Sequence, residues 1–247
     1  MYGRMPLKKP GAFSEYITIG EDAVAMVPEY LSDQEAASVP LTALTGLQAL
    51  ELLKAQPGDS LFISGGTGSL GAMVIPIAHR MGLHVITNGS ASGRKRVERL
   101  GAERFIDYKK EDYSKVLADV DLVIDSLGDR ELPKEFGVLK DGGHLVSLKG
   151  LPNRRFADRM GMGFGKKILF GFAGRKYDKM ASKRGQTYDF LFVRENGRQL
   201  EKIGELFDRK HPLETSVDQV FTLDHVNDAL KKVRSGNSRG KTIVSIS

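Results

Sequence analysis

The stretch that most constrains the fold is a glycine-rich loop between an apolar strand-like run and an apolar helical segment. Gly66, Gly68 and Gly71 follow the run 60–64 with the spacing G-x-G-x-x-G. One such glycine permits a tight turn, a second lets the backbone approach an anion, and a third lets the helix pack on the strand. Free N–H groups at the helix start then face a diphosphate, aided by the helix dipole. The loop therefore predicts a dinucleotide-binding domain.

The residues around this loop alternate between short apolar runs and helical patterns. The predicted strands are 60–64, 83–87, 105–106, 121–125, 143–148 and 187–193. The predicted helices are 69–81, 93–100, 112–118, 131–139 and 197–210. Strands joined by helical crossovers form a parallel sheet covered on both faces. We therefore expect an α/β fold with a doubly wound, six-stranded parallel Rossmann sheet.

The two ends of the chain follow a different pattern. Ser32 and Glu35 have the spacing of a capping box and predict that a helix begins there. The remaining predicted elements are strands 13–19, 23–27, 217–221 and 242–246, and helices 42–55 and 223–235.

Composition narrows the class of partner. The 247-residue chain has no cysteine, which excludes disulfides and thiolate metal ligands, and its five histidines show no metal-ligand spacing. We expect no metal. The net charge is +6, but no nucleic-acid motif accompanies it, so we expect no nucleic-acid partner. The apolar runs are far shorter than the ~20 residues of a membrane helix. We expect a cytoplasmic protein with no integral membrane segment.

The end of the second predicted strand favours NADPH over NADH. A site for NAD usually places a carboxylate there to accept from the ribose 2′-OH. Here the strand 83–87 ends in residues 88–90 (Asn-Gly-Ser), with no acid, and Arg94, Lys95 and Arg96 follow. Cationic side chains suit a 2′-phosphate. The alternative is that these three side chains only decorate an exposed helix start.

Several further motifs give the chain a recognisable family pattern. Besides the glycine loop they are residues 11–16, 39–45, 100–102, 106–108, 122–128, 139–143, 192–193 and 239–241. With them the chain resembles, from Gly11 to Ser247, the medium-chain dehydrogenase/reductase superfamily. The most similar branch is that of the zinc-independent, quinone-oxidoreductase-like enzymes that use NADPH.

The resemblance implies which residues contact the phosphates and adenine of the cofactor. The implied pyrophosphate loop consists of Gly66, Thr67, Gly68, Ser69, Leu70 and Gly71. Ser90, Arg94 and Tyr108 would surround the 2′-phosphate and adenine. Gly93 stands where the family often has a lysine, so Arg94 or Lys95 must substitute.

The resemblance also implies the contacts at the other end of the cofactor. They are Thr45, Ser126, Leu127, Leu148, Lys149, Phe192 and Val193. Thr45 would lie near the nicotinamide-side phosphate, Ser126 and Leu127 would flank the ribose, and Phe192 and Val193 would lie beside the nicotinamide. No side chain is identified as catalytic, because in hydride transfer the cofactor carries the chemistry.

The implied activity is hydride transfer from NADPH to a small molecule, a quinone or an α,β-unsaturated carbonyl. Family members carry a longer front part that forms most of a GroES-like catalytic domain. We therefore expect remnant strands of that domain in 1–30, the Rossmann domain in 31–210 and a return to the catalytic domain in 211–247. The alternative is a non-catalytic NADPH-binding module or a fragment. The resemblance also implies a homodimer that forms through the strand 187–193.

A basic segment with interleaved apolar residues, 153–184, separates the last two predicted sheet strands. Three interpretations are open: a substrate lid, a patch that touches an anionic membrane, or an ordinary helix pair packed on the sheet. Its glycines at 161, 163, 165, 171 and 174 argue against a long rigid helix and favour mobility.

Overall fold

The computed structural model describes residues 1–6, 11–236 and 240–246. Arg239, the first residue of the motif 239–241, lies outside them. The chain divides into two compact units. The first unit comprises 1–47, 68–77 and 193–247, and the second comprises 48–67 and 78–192. The domain boundaries expected at residues 30 and 210 stay a prediction.

The structure gives the bounds of every element in the described part of the chain. The strands are β1 (Tyr2–Gly3), β2 (Val24–Ala25), β3 (Ser60–Ile63), β4 (His84–Gly89), β5 (Arg104–Asp107), β6 (Val120–Asp125), β7 (Leu139–Ser147), β8 (Thr187–Phe190), β9 (Val217–Thr222) and β10 (Lys241–Ser245). The α-helices are α1 (Asp33–Ser38), α2 (Pro40–Leu53), α3 (Gly71–Arg80), α4 (Arg94–Arg99), α5 (Tyr113–Val116), α6 (Leu132–Val138), α7 (Arg154–Arg159), α8 (Phe164–Ser182), α9 (Gly197–Glu205) and α10 (Val226–Arg234).

A six-stranded sheet forms the centre of the second unit, with the order β5-β4-β3-β6-β7-β8. Every pair of neighbours is parallel. The chain leaves β3 toward β4 and β5, then returns to the other side of β3 for β6, β7 and β8. The order therefore reverses between β3 and β6, and ligands of such sheets bind at the carboxyl ends of the strands there. The predicted doubly wound sheet is confirmed.

The core of the second unit explains why its strands read as apolar runs. Parallel strands covered on both faces bury nearly every side chain, and Phe62, Val123 and Leu145 are fully buried. Aromatic pairs attach the covering helices to the sheet. Tyr113 of α5 lies 4.8 Å from Phe62 between ring centroids.

The first unit contains two small sheets. β1 pairs with β2 in antiparallel fashion, and β9 pairs with β10 in parallel. Helix α9 approaches β2 closely, since a Cβ atom on Gly197 would lie 2.1 Å from the carbonyl oxygen of Val24. The predicted capping box of α1 is confirmed, because the Ser32 hydroxyl and Glu35 carboxylate each accept from the other residue's backbone N–H.

The predicted strand at 13–19 is wrong. These residues have no strand conformation, and no strand in the described part of the chain pairs with them. Phe13, Tyr16 and Ile17 are 56%, 89% and 49% exposed. Alternating apolar residues need a neighbouring strand to become a sheet, and none is available here.

The expectation of mobility in the basic segment also fails, because α8 is a continuous 19-residue helix. The helix packs beside α7 and against β8. Gly174 permits this packing, since a Cβ atom there would lie 2.4 Å from the Cβ of Asn153. The Asn153 amide donates to Asp178 (2.8 Å) and to the carbonyl of Tyr188 (3.0 Å). Tertiary contacts thus outweigh a helix-propensity cost of about 1 kcal/mol per glycine. The basic segment 153–184 therefore forms a helix pair, α7 and α8, that packs on the sheet.

The outer face of α8 exposes large apolar side chains. Phe164, Leu169 and Phe172 are 77%, 62% and 68% exposed. Within the described residues, no helix is both long and apolar enough to cross a membrane.

Replacing Phe62 with alanine should lower the free energy of unfolding by about 3–5 kcal/mol, because Phe62 is fully buried in the sheet core. Urea denaturation followed by circular dichroism measures the loss. Phe164→Ala is the matched control, since Phe164 is 77% exposed and its removal should change stability by less than about 0.5 kcal/mol. Equal losses in the two variants would contradict the described core.

Candidate dinucleotide-binding site

The glycine loop is anchored at its start by the end of the neighbouring strand β4. Gly65 has a φ of +69°, a left-handed conformation that favours glycine. Its N–H donates to the side-chain oxygen of Asn88 at 2.7 Å. The N–H of Gly66 donates to the Thr87 hydroxyl (3.1 Å) and to the carbonyl of Asn88 (3.0 Å). The chain therefore leaves β3 in one defined direction.

Close packing against the side chains of Thr87 and Thr67 requires glycine at three positions in and near the loop. A Cβ atom on Gly66 would lie 2.0 Å from the Thr87 hydroxyl oxygen, and one on Gly89 would lie 2.2 Å from Thr67. A Cβ atom on Gly93 would also meet the Thr67 side chain, at 2.5 Å. The absence of a lysine at position 93 thus has a steric reason in this chain.

The later amides of the loop are open. In the described part of the chain, the N–H groups of Ser69 and Leu70 have no hydrogen-bond acceptor. The carbonyls of this turn are engaged instead: Gly68 accepts from Ala72 at 3.1 Å, and Leu70 from Val74 at 2.9 Å. Helix α3 begins at Gly71 and continues for 10 residues. Unpaired N–H groups before a helix of this length suit an anion.

A cavity of about 600 Å³ lies in the second unit, beside the carboxyl ends of the sheet strands. Its lining residues are Gly65, Thr67, Asn88, Gly89, Tyr108, Glu111, Asp112, Tyr113, Leu127, Arg130, Glu131 and Lys134. Three predicted contact residues, Thr67, Tyr108 and Leu127, are brought together here. The volume is in the range of small-molecule and cofactor sites.

The loop after β6 is held by a buried carboxylate. Asp125 accepts from the N–H groups of Leu127 (2.8 Å) and Gly128 (2.7 Å). The hydroxyl of Ser126 donates to the carbonyl of Ser64 at 2.7 Å, which ties the end of β6 to the end of β3. Ser126 is therefore engaged with the protein, while Leu127 is 46% exposed at the cavity.

A serine holds the loop after β7 in the same way. The Ser147 hydroxyl accepts from the N–H groups of Lys149 (3.2 Å) and Gly150 (2.7 Å). The N–H of Leu148 donates to the carbonyl of Asp125 at 3.0 Å. Leu148 is half-buried, and Lys149 is exposed. The predicted contact residues after the fourth and fifth sheet strands therefore stand on loops joined at Asp125.

The residues predicted around the 2′-phosphate are not gathered at the cavity. Arg94 pairs with Glu98 at 3.1 Å and lies over the Phe105 ring, 5.3 Å from its centroid. Lys95 is exposed, and Ser90 is half-buried. Of the residues implied for the adenine side, Tyr108 alone lines the cavity.

Two cationic residues at the cavity were not anticipated from the sequence. Arg130 makes no ion pair within the described residues, whereas Lys134 lies 3.5 Å from Glu131 and 3.9 Å from Asp112. Arg130 lies in the loop that follows β6, two residues after Gly128. Its place after a predicted strand was a usable signal, since parallel strands present their carboxyl ends at one edge.

The remaining predicted residues fall near the boundary between the units in sequence. Thr45 and Val193 belong to the first unit, and Phe192 belongs to the second. The Thr45 hydroxyl donates to the carbonyl of Leu41 at 2.7 Å within α2. Phe192 is 40% exposed.

His144 belongs to a cluster of ion pairs around one buried carboxylate. Asp189 is fully buried. Burial alone would raise its pKa, but the His144 ring at 2.8 Å and the guanidinium groups of Arg155 and Arg159 hold that pKa below its usual range. Within the described residues, no three His, Cys, Asp or Glu side chains are placed to hold a metal ion.

Comparison with known families confirms the resemblance. The model of the zinc-binding dehydrogenase family matches residues 100–244, more than half of the chain. The chain belongs to this family. Its relatives place it in the quinone-oxidoreductase-like branch of the medium-chain dehydrogenase/reductase superfamily.

Two curated relatives indicate the kind of enzyme found in this branch. A mitochondrial NAD(P)H oxidoreductase of Danio rerio is 30% identical over the full chain, which covers 65% of that protein. The 2-methylene-furan-3-one reductase of Solanum lycopersicum is 30% identical over 96% of the chain, which covers 53% of that protein. The chain thus spans between half and two thirds of the length of these relatives.

Solved structures agree on the fold. The quinone oxidoreductase of Coxiella burnetii is 27% identical with a TM-score of 0.72, over 89% of this chain and 62% of that one. The quinone oxidoreductase of Thermus thermophilus, also solved in complex with NADPH, has a TM-score of 0.72 at 23% identity, over 96% of this chain and 74% of that one.

Replacing Gly66 with alanine should destabilise the protein by about 1–3 kcal/mol, because the new Cβ displaces the Thr87 side chain and breaks its hydrogen bonds to the Gly66 N–H and to the carbonyl of Ile63. Thermal unfolding measures the effect. The matched control is Gly165→Ala on α8, where a Cβ atom meets nothing within 4 Å. The control should keep or slightly raise Tm. A G66A variant as stable as the wild type would show that the loop is not held as described.

Proposed function

We propose that this chain binds NADPH along the carboxyl ends of β3, β4 and β6 and serves hydride transfer to a quinone or an α,β-unsaturated carbonyl. The open N–H groups of Ser69 and Leu70 carry the proposal. Gly65 and Gly66 already have protein acceptors for their amides, whereas the N–H groups of Ser69 and Leu70 have no acceptor among the residues that the structure describes. A diphosphate supplies the acceptors that these donors lack.

The cavity suits the adenosine half of the cofactor. Thr67 and Leu127 offer apolar contact from two loops, and Tyr108 offers an aromatic ring that is 57% exposed. Small-molecule sites combine such apolar walls with a few polar groups. Asn88 does not act as the ribose acceptor of an NAD site, because its side-chain oxygen is bound to the N–H of Gly65.

The cavity also offers a cation for a 2′-phosphate. Arg130 lines it without a carboxylate partner in the described residues, while Arg94 is shared with Glu98. A guanidinium can bind a phosphate through two parallel hydrogen bonds. We therefore assign the main 2′-phosphate contact to Arg130, with the segment Ser90–Lys95 as the second side of the subsite.

The bound cofactor would supply the hydride, and the chain's own residues position it. The loops that carry Leu127 and Lys149 are fixed through Asp125 and Ser147, so their backbone geometry is set before a ligand arrives. Preorganised loops reduce the ordering that binding requires. No catalytic side chain is assigned, since reduced quinones can take their protons from water.

Other features of the proposal follow from the sheet edge and the composition. Strand β8 ends the six-stranded sheet, and an open edge can pair with a second copy of the chain. We propose a homodimer through this edge, chemistry without zinc because the chain has no cysteine, and a cytoplasmic location. The alternative function is NADPH binding without catalysis.

The wild-type protein should bind NADPH with micromolar affinity and NADH at least about tenfold more weakly, a difference of about 1.4 kcal/mol. Isothermal titration calorimetry measures both. Arg130→Ala should weaken NADPH binding and leave NADH binding nearly unchanged, because NADH lacks the 2′-phosphate. Arg198→Ala, an exposed arginine on α9, is the matched control. Equal affinities for NADPH and NADH in the wild type would defeat the 2′-phosphate assignment.

The protein should oxidise NADPH in the presence of a small quinone. The decrease in the absorbance of NADPH measures the rate. The hydride donor and a bound acceptor suffice for this step. Tight NADPH binding with no turnover on quinones or enones would favour the non-catalytic alternative.

A further inference from the structure

Two carboxyl groups are buried together behind the loop that follows β6. Asp125, at the end of β6, and Glu135, on α6, are both fully buried. Asp125 accepts three hydrogen bonds, from the N–H groups of Leu127 and Gly128 and from the Ser147 hydroxyl at 2.5 Å. Neither carboxyl oxygen of Glu135 has a hydrogen-bond partner in the described part of the chain. A buried polar group without a partner requires an explanation.

The surroundings decide which of the two carries charge. Three donors suit an ionised Asp125, whereas among the described residues no donor lies within hydrogen-bond distance of the Glu135 carboxyl oxygens. Burial raises the pKa of Glu135 well above its ordinary value, and the nearby charge of Asp125 raises it further. The Ser64 hydroxyl, directly after β3, lowers this pKa, and Glu131, the N-cap residue of α6, raises it. Tyr113 of α5 also faces Glu135. Two adjacent buried carboxylates are too costly to coexist.

Two tyrosines on neighbouring elements also face Asp125, but neither supplies a positive charge that could offset a second carboxylate. Tyr177 of α8 and Tyr188 of β8 face Asp125, and burial raises the pKa of both hydroxyls. The Tyr177 hydroxyl donates to Asp129, and the Tyr188 hydroxyl donates to the carbonyl of Leu151. The proton on Glu135 is therefore the available means of keeping the carboxyl pair from carrying two charges.

We propose that Glu135 is a positioning residue that stays protonated and faces Asp125 as a neutral acid, so that Asp125 keeps the loop 126–128 in its dinucleotide-binding shape. This inference rests on the proposed function, since it assigns that loop to the cofactor. When Glu135 loses its proton, a second negative charge repels Asp125 and loosens its bonds to Leu127 and Gly128. The cofactor affinity then falls.

The direction of the pH dependence follows from linkage. The folded-state pKa of Glu135 is raised, so its contribution to stability is complete below the ordinary value of 4.5 and is lost as the pH rises through the folded value. Glu135→Gln keeps the size and a donor but cannot ionise. In a comparison of the two proteins, the wild type should lose stability with rising pH relative to the variant.

The decisive experiment follows Tm and NADPH affinity of the wild type and E135Q from about pH 5 to about pH 9. Above the pKa of Glu135, the wild-type affinity should fall relative to E135Q by up to about tenfold per pH unit. Glu201→Gln, an exposed glutamate on α9, should follow the wild type throughout. A difference in Tm between the wild type and E135Q that does not change across this range overturns the inference. A ratio of the two affinities that stays unchanged while carbon-13 NMR shows Glu135 losing its proton overturns it as well, and either result leaves the proposed function standing. Failure of both proteins to bind NADPH at any pH overturns the proposed function and the positioning role together.

A measurement on the wild type alone covers the case in which E135Q does not fold. Carbon-13 NMR of the protein with labelled glutamate side chains reports the charge of each carboxyl group. One glutamate should remain protonated near neutral pH, where the exposed glutamates are ionised. A spectrum in which every glutamate is ionised at neutral pH overturns the inference.

Discussion

The site depends on the hydrogen bonds that join the start of the glycine loop to the end of β4. The side chain of Asn88 and the hydroxyl of Thr87 take up the N–H groups of Gly65 and Gly66. Because these amides are satisfied inside the protein, the chain leaves β3 in a fixed direction. The unpaired amides of Ser69 and Leu70 then stand at the beginning of that helix. A loop of the same composition without these anchors would have no defined binding surface.

The same arrangement recurs at the ends of β6 and β7, with carboxylate and hydroxyl groups in place of the amide. Asp125 and Ser147 are fully buried, which is unusual for polar residues unless they are hydrogen-bonded. Each holds the backbone of the loop that follows its own strand, and a hydrogen bond joins the two side chains. The sheet therefore ends in a layer of polar side chains that sets the shape of two loops. Glu135 lies close to Asp125 in this layer, and its carboxyl oxygens have no hydrogen-bond partner among the described residues.

The strands and helices of the sheet could be predicted because their apolar periodicity reflects burial that every parallel sheet requires. The segment 13–19 has a similar pattern, but strand pairing needs a partner and the described chain offers none. The prediction of mobility in the segment 153–184 failed for a different reason. Gly174 lowers the local helix propensity, but it also permits α8 to pack closely against Asn153. In the site, the sequence position of Arg94 predicted a contact with the 2′-phosphate. In the structure, α4 and β5 place its guanidinium beside Glu98 and over the Phe105 ring. For Arg130, the position after a predicted strand was the only signal in the sequence.

By itself, the sequence determined that the sheet is parallel and doubly wound, where the glycine loop lies and that no cysteine is present, because each depends on residue type and spacing along the chain. The tertiary structure decided which side chains share the cavity, which amides stay open within the described residues and which two carboxyl groups are buried. Those properties arise when residues distant in sequence meet, as Gly65 meets Asn88 and Asp125 meets Glu135. Burial and the local dielectric, which set the cost of an unpaired charge, exist only after the chain has folded.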